Sequence, residues 1–317
     1  MYLLQTSPLR SLQSENVEDI LLPTGPNGQS PRFFLNSKII SELYTSHFMI
    51  LKRSLILPAF LFTQICFAQL HEEVVKAEIS FASTAKTEST KKAFLRYMDS
   101  TAVVFQNGES YNGMQYWNRA KEGSAKLLWQ PAFFAMSASR DLGFTTGPWE
   151  LRRSLQDSIA DSGQYTTIWK KSSNGEWKFL VDLGVNYTPA LHQEQSLQKF
   201  EIAGAGKGAG NILSIEDDFI QEFVVKGVTA YEGLLMEKSW LNTDGKHPIQ
   251  NAALVMAELK TLPAETSFKP IASGVSAAND LGYVYGTVQY GSKKENYLRV
   301  WVNTENGWRI LLQVIKK

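Results

Sequence analysis

The chain repeats its own landmarks, in the same order, when it is compared with itself at a shift of about 137 residues. The repeated positions are Phe81 and Phe219, Asn107-Gly108 and Asp244-Gly245, Asp141-Leu142-Gly143-Phe144 and Asp280-Leu281-Gly282-Tyr283, Gly147 and Gly286, and the closing hairpins that begin at Tyr165 and Tyr297. This period exceeds that of solenoid repeats. It therefore predicts a duplicated domain of roughly 110 residues, a length at which one hydrophobic core can close.

An apolar run at 55–67 has the features of a secretory signal. It follows Lys52-Arg53 and ends at Cys66-Phe67-Ala68, and it is too short to span a bilayer comfortably. Met49 stands just before the positive region, so we expect translation to start there. The alternative is a genuine N-terminal extension with a buried apolar segment at 50–68.

The signal prediction divides the chain into five parts. We expect an upstream start artefact or a disordered segment at 1–48, a signal peptide at 49–68, a first domain at 69–189, a linker at 190–211 and a second domain at 212–317. The protein would be periplasmic or secreted, without stable membrane insertion after signal cleavage.

Composition excludes several function classes. The formal net charge of +1 over 317 residues provides no basic stripe, so we expect no nucleic-acid partner. Cys66, the only cysteine, lies inside the predicted signal, and His71, His192 and His247 show no paired-ligand spacing. We therefore expect no metal and no cofactor.

Hydrophobic periodicity predicts helices followed by a strand meander in each copy. The first copy shows helical spacing at 71–85, after Ser89-Thr90 and at 114–122, a hairpin turn at Asn107-Gly108, and strands at 127–139, 143–151, 164–170 and 176–184. In the second copy we expect a capping box at Ser214 and Asp217, and strands at 239–242, 275–278, 282–290, 297–303 and 308–315. This order favours an α+β fold.

The glycine-rich stretch from Gly204 to Gly210 does not match a phosphate-binding loop. Such a loop needs a strand before it, a helix after it, and Ser or Thr after its lysine, whereas Gly208 follows Lys207. We expect a flexible linker.

The motif Asp-Leu-Gly-Phe-Thr-Thr-Gly at 141–147, with Trp169-Lys170 and Asn174-Gly175-Glu176-Trp177-Lys178, resembles the nuclear transport factor 2-like superfamily, in its SnoaL-like and uncharacterised secreted branch. The resemblance covers about 71–187 and, more weakly, 212–317. It implies two tandem cone-shaped domains, each a curved antiparallel sheet packed on three helices, with a pocket at the open end. Members include isomerases, cyclases, dehydratases and binding domains, so the resemblance does not fix a function.

Two aspartates are candidates for catalysis. Alternation along the last strand of the first copy places Trp177, Phe179, Val181 and Leu183 on one face, and Lys178, Leu180 and Asp182 on the other. Asp182 is a candidate general base or a residue of a partly wet face, and the second copy has Gln313 in its place. Asp141, like its counterpart Asp280, is a second candidate or a turn residue that binds its own backbone.

Aromatic residues are numerous enough to line pockets for a small, mostly apolar molecule, although each could instead pack in a core. The candidates are Tyr97, Trp117, Trp129, Trp149 and Trp169 in the first copy, and Tyr231, Trp240, Tyr285 and Trp301 in the second. We expect an exported small-molecule-binding protein with an apolar pocket in each cone.

Two alternatives remain open. One is an isomerase, dehydratase or cyclase that uses a pocket carboxylate in the first domain only. The other is an interaction module whose sheets pair with each other as an intramolecular pseudo-dimer, or with another chain as a homo-oligomer.

Overall fold

The computed structural model describes residues 72–202, 206–208 and 210–317. The predicted upstream segment 1–48 and the predicted signal peptide 49–68 lie outside the described residues. No helix within the described ranges is long and apolar enough to cross a membrane. We call residues 72–202 the first half, and residues 206–208 with 210–317 the second half.

The first half contains three α-helices and eight strands. These are α1 Glu73–Thr87, α2 Thr90–Tyr97, β1 Met98–Gln106, β2 Glu109–Asn112, α3 Gly113–Arg119, β3 Lys126–Trp129, β4 Phe133–Met136, β5 Leu142–Arg152, β6 Asp161–Lys171, β7 Trp177–Tyr187 and β8 Gln198–Lys199. The strand predicted at 127–139 is interrupted at Gln130 to Ala132 and forms β3 and β4.

The second half contains two α-helices and six strands. These are α4 Ile212–Lys226, β9 Leu235–Thr243, β10 Ile249–Gln250, α5 Ala252–Leu259, β11 Thr266–Val275, β12 Leu281–Tyr290, β13 Lys293–Thr304 and β14 Gly307–Ile315. The three helices expected here are wrong. Gly227, with a φ of 59°, ends α4. The segment directly after it, Gly227–Tyr231, is a 3-10 helix and not a second α-helix.

Local sequence explains several element boundaries. The side chains of Ser89 and Asn112 accept backbone hydrogen bonds at the starts of α2 and α3. Asn211 does the same for α4, so the capping box predicted at Ser214 and Asp217 is wrong. Asn107 and Gly108 both have positive φ, which confirms the tight turn between β1 and β2.

Both sheets are mixed, which corrects the expectation of antiparallel sheets. The first has the order β2-β1-β7-β6-β5-β4-β8, with β3 also paired to β5, and the second has the order β10-β9-β14-β13-β12-β11. The meanders are antiparallel, but β1 pairs with β7 in parallel and β9 pairs with β14 in parallel. The physical reason is that β1 and β9 enter their sheets from the preceding helical segment and not through a hairpin with the strand beside them.

Gly147 and Gly286 lie opposite irregularities in a neighbouring strand. A Cβ at Gly147 would lie 1.9 Å from the carbonyl oxygen of Gln130, and one at Gly286 would lie 2.1 Å from that of Lys269. The partner strand is interrupted or shifts register at each place. Glycine is required because the adjacent backbone approaches too closely for any side chain.

Three apolar cores hold the described residues together. One lies between helices α1 to α3 and the first sheet, and a second lies between α4, α5 and the second sheet. The third joins the two sheets face to face, with Phe133 and Trp240 stacked at 4.7 Å and Phe105 against Tyr285 at 5.4 Å. The two halves are therefore not isolated compartments, because each sheet covers the other's apolar outer face.

Candidate functional site

A small pocket lies inside the first half, between α1, α2 and the sheet. It is lined by Phe81, Phe94, Leu127, Trp129, Trp149, Tyr165, Thr167 and Asp182. Its volume is about 10 Å³, which is the space of about one water molecule. The few hundred cubic ångströms expected of a ligand cavity are therefore not open between these side chains.

Asp182 faces this pocket because β7 contains a β-bulge. The register between β6 and β7 shifts between Ile168 and Trp169, so that Leu180 is an extra residue. Trp177 and Phe179, before the bulge, pack inside the first half, and Val181, after it, packs against the second sheet. Strict alternation along this strand was therefore wrong.

The environment of Asp182 is desolvated and sparsely hydrogen-bonded. The residue is 5% exposed, and Thr167 Oγ1 donates to Asp182 Oδ1 over 3.3 Å. Burial raises the pKa of Asp182 to about 6. The Tyr165 hydroxyl, which lines the same pocket, has no hydrogen-bond partner in the described part of the chain. Asp182 is thus a buried carboxyl group with spare hydrogen-bonding capacity.

Glu78 of α1 is a second buried carboxyl group, behind the pocket wall. Its side chain is fully buried and accepts hydrogen bonds from Trp129 Nε1 at 2.5 Å, Thr145 Oγ1 at 2.5 Å and Trp169 Nε1 at 2.9 Å. Burial raises the pKa of Glu78 to about 7, in spite of these three donors. The negative charge of Asp182 contributes in the same direction.

Within the described ranges, no cationic side chain neutralises these two acids. Among the described residues, no Lys, Arg or His forms a salt bridge with Glu78 or with Asp182. Buried carboxylates without a partner charge are expensive, so such a site can hold a proton or attract a cation.

In the second half, the corresponding buried acid is neutralised by an arginine. Glu216, like Glu78, lies three residues before a helix phenylalanine and accepts a hydrogen bond from a strand tryptophan, Trp301 Nε1 at 2.9 Å. Here, however, the guanidinium of Arg299 forms a buried salt bridge with Glu216, and both side chains are fully buried. Burial raises the pKa of Glu216, and Arg299 opposes that rise.

The aromatic candidates of the first half lie in different places. Trp129 and Trp149 line the inner pocket, and Trp169 binds Glu78. Trp117 lines a separate surface groove of about 580 Å³. Tyr97 packs beside Phe81, at 5.4 Å between ring centroids.

All four candidates in the second half lie in cores. Tyr231 and Trp301 belong to the core under α4, whereas Trp240 and Tyr285 pack between the two sheets. Trp240 and Tyr285 therefore do not line the interior of the second half. Their outward direction follows from the alternation of side chains along β9 and β12.

Asp141 lies in a loop contact between the two halves and not in the pocket. Its Oδ2 accepts from the Ala277 amide at 3.0 Å, and Asp280 Oδ2 accepts from the Ala138 amide at 2.7 Å. Each carboxylate therefore accepts hydrogen bonds from the loop of the other half as well as from its own loop. Burial acts to raise the pKa of Asp141, but hydrogen bonds from Ser139 and Ala277 outweigh it and lower this pKa.

Sequence reasoning missed the residues that complete the site, namely Glu78, Tyr165 and Thr167, and the counterpart pair Glu216 and Arg299. A signal was available: Glu-x-x-Phe occurs at 78–81 and again at 216–219. An acid on the apolar face of an amphipathic helix in both copies indicates a buried polar contact.

Comparisons with known proteins give only distant structural likenesses. No family model matches the chain, and no curated protein matches it. It is similar to nuclear transport factor 2 from Cryptosporidium parvum, with a TM-score of 0.29, 14% identity, and coverage of 33% of this chain and 89% of that one. A nuclear transport factor 2-like protein of unknown function from Shewanella oneidensis has a TM-score of 0.29 and 16% identity, and covers 35% of this chain and 95% of its own. The strand order and the packing described above, and not these likenesses, define the fold.

Proposed function

We propose that the first half binds a small molecule in the pocket next to Asp182. The observation that carries this proposal is a buried carboxylate with one hydroxyl donor, among aromatic walls, beside a tyrosine hydroxyl without a partner. Polar groups that are buried and incompletely hydrogen-bonded are costly unless a ligand or water completes them. The pocket is small in this structure, so the ligand would enter with a polar head no larger than a water molecule or would displace a wall.

The second half would serve as a structural partner. Arg299 occupies the place that remains open in the first half, so the pocket expected in each cone is proposed only for the first. The face-to-face packing of the sheets supports an internal pseudo-dimer, since each sheet already covers the other. We further propose that the two halves arose by duplication of one domain, in keeping with their matching strand order.

A second candidate is proton-transfer catalysis, of the kind that an isomerase, dehydratase or cyclase performs. It is favoured by one observation: burial raises the pKa of Asp182 to about 6, near the range in which a general base works best. Asp182 would take the proton from a carbon acid. Export through the predicted signal, to the periplasm or outside the cell, remains part of the proposal and rests on the sequence at 49–68.

The binding proposal can be tested by native mass spectrometry of the protein purified from its source cells. We expect a retained small molecule in the unchanged protein and none in Thr167→Arg. This substitution places an arginine in the inner pocket of the first half, just as Arg299 fills the equivalent space of the second half. Thr101→Arg, at an exposed position of β1, is the matched control. Equal retention by the unchanged protein and by folded Thr167→Arg would contradict the proposal.

The catalytic candidate needs a separate assay. We expect the protein to accelerate exchange of the α-protons of 2-pentanone in deuterated water, followed by NMR, and Asp182→Asn to abolish that acceleration. Exchange at the same rate with both proteins would exclude Asp182 as the base.

A further inference from the structure

The chemical class of the ligand can be inferred from the second half, because there the equivalent space is filled by a side chain of the protein itself. Thr167 pairs with Asp182 across β6 and β7, and Arg299 pairs with Gln313 across β13 and β14. Both Thr167 and Arg299 lie two residues before the tryptophan at which the register shifts. Arg299 is therefore the counterpart of Thr167.

The guanidinium of Arg299 is surrounded by aromatic rings. Its Cζ lies 4.4 Å from the ring centroid of Phe219, 4.7 Å from that of Phe268 and 4.8 Å from that of Tyr297. Its Nε donates to Gln313 Oε1 over 2.9 Å. Such contacts stabilise a desolvated cation.

The first half has counterparts of these three rings without the cation. Phe81 lies on its helix where Phe219 lies, and Tyr165 lies on its strand where Tyr297 lies, each in the corresponding position of the repeat. Trp129 pairs with the residue two positions after Gly147, as Phe268 pairs with the residue two positions after Gly286. All three first-half rings line the inner pocket beside Asp182.

The charges of the two halves differ at two facing strand positions. In the second half, one acid, Glu216, is balanced by Arg299, and the position facing Arg299 is the neutral Gln313. In the first half, Glu78 is retained, the facing position is acidic Asp182, and Thr167 supplies no charge. The first pocket therefore combines two acids with an aromatic lining and, among the described residues, has no cation of its own.

We propose that the ligand of the first half is an organic cation, an amine whose ammonium head occupies the space that Arg299 fills in the second half. The ammonium would donate to Asp182 and to the Tyr165 hydroxyl oxygen, with the face of Trp129 beside it and Glu78 behind the wall. An ammonium group has about the size of a water molecule, which matches the pocket volume of about 10 Å³.

The cost of burying two acids also favours a cationic ligand. The pKa values of Asp182 and Glu78 are both raised, to about 6 and about 7, because burial disfavours their charged forms. A bound cation would supply the countercharge that each lacks. The inference rests on the binding function proposed above for the same pocket.

The test compares two probes of equal length on the full chain, n-butylamine, which is protonated at neutral pH, and n-butanol, its neutral match. Dissociation constants are measured by ligand-observed NMR titration at about pH 8, where both carboxyls ionise. We expect n-butylamine to bind about ten- to a hundredfold more tightly than n-butanol, the effect of a charge-assisted hydrogen bond. In Asp182→Asn the ratio of the two dissociation constants should fall to about one, because the variant lacks the carboxylate that accepts the charge-assisted hydrogen bond.

Each outcome separates the two proposals. If n-butanol binds as tightly as n-butylamine, the cation inference is wrong and the pocket proposal stands. If neither probe binds the unchanged protein, both are wrong. If folded Asp182→Asn keeps the preference for the amine, the cation binds elsewhere and the inference is overturned. The ratio measured on the unchanged protein decides the matter even if the variant does not fold.

Discussion

Replacing Asp182 with Asn should change how the stability of the protein depends on pH. The pKa of Asp182 is about 6 in the folded protein, against a usual value of 3.8. Because the folded value is the higher one, the stabilising contribution is complete below 3.8 and is lost as the pH rises through about 6. The increase of the Asp182 pKa on folding corresponds to about 3 kcal/mol, at 1.36 kcal/mol for each tenfold change in proton affinity.

Asp182→Asn removes that titration and keeps an oxygen that can accept the hydrogen bond from Thr167. The free energy of unfolding of the variant, relative to the unchanged protein, should therefore increase by about 3 kcal/mol between about pH 4 and about pH 8. The measurement is equilibrium urea denaturation at both pH values, with Asp218→Asn, at an exposed position of α4, as the matched control. A relative stability that is the same at both pH values would refute the reasoning.

Three further substitutions test the fold around the site, each by urea denaturation. Arg299→Met should destabilise the protein by about 3–5 kcal/mol because it leaves Glu216 buried and unpaired, and adding Glu216→Gln should recover most of that loss, whereas an additive double variant would contradict the pairing. Asp280→Ala should cost about 1–3 kcal/mol because it removes the acceptor of a loop amide in the first half, and no loss would show that this contact does not hold the halves together. Gly147→Ala should cost about 1–3 kcal/mol because its Cβ would lie 1.9 Å from the Gln130 carbonyl oxygen, and unchanged stability would show that the strands can separate there.

The repeat in the sequence predicts much of the architecture, because each landmark has a local physical cause. Asn107-Gly108 forms its turn through two positive φ angles, and Gly147 and Gly286 lie where the backbone of a neighbouring strand approaches too closely for a side chain. Short-range chemistry of this kind can be read directly from residue types. It does not specify which strands become neighbours in parallel, and so the mixed character of the sheets was missed.

The direction of Asp182 depends on the register between β6 and β7, which the pattern of a single strand does not contain. Perfect alternation places Asp182 with Leu180, but the bulge in β7 turns Val181 towards the second sheet and Asp182 into the pocket. The bulge lies in the hairpin of β6 and β7, and the residue types around Leu180 do not mark where the extra residue falls. An acid within an apolar strand makes Asp182 a candidate, but alternation alone places it on the face opposite Phe179, which is wrong.

The pair of Glu78 and Glu216 shows what an internal comparison adds. Each acid is buried on the apolar side of its helix, where a single copy would suggest an isolated anomaly. Comparison of the two copies shows that, in the part of the chain that the structure describes, only the acid of the second copy has a neutralising side chain, Arg299. The two halves therefore differ at two facing strand positions, where Thr167 and Asp182 of the first half correspond to Arg299 and Gln313 of the second, and hydrophobic periodicity does not reveal this difference.

A crystal structure of the full chain grown with n-butylamine tests the central claim most directly. The account predicts an ammonium nitrogen within hydrogen-bond distance of the Asp182 carboxylate and the Tyr165 hydroxyl, with the second half unoccupied around Arg299. Density for the amine only in the surface groove lined by Trp117, with the inner pocket closed or holding water, would contradict it.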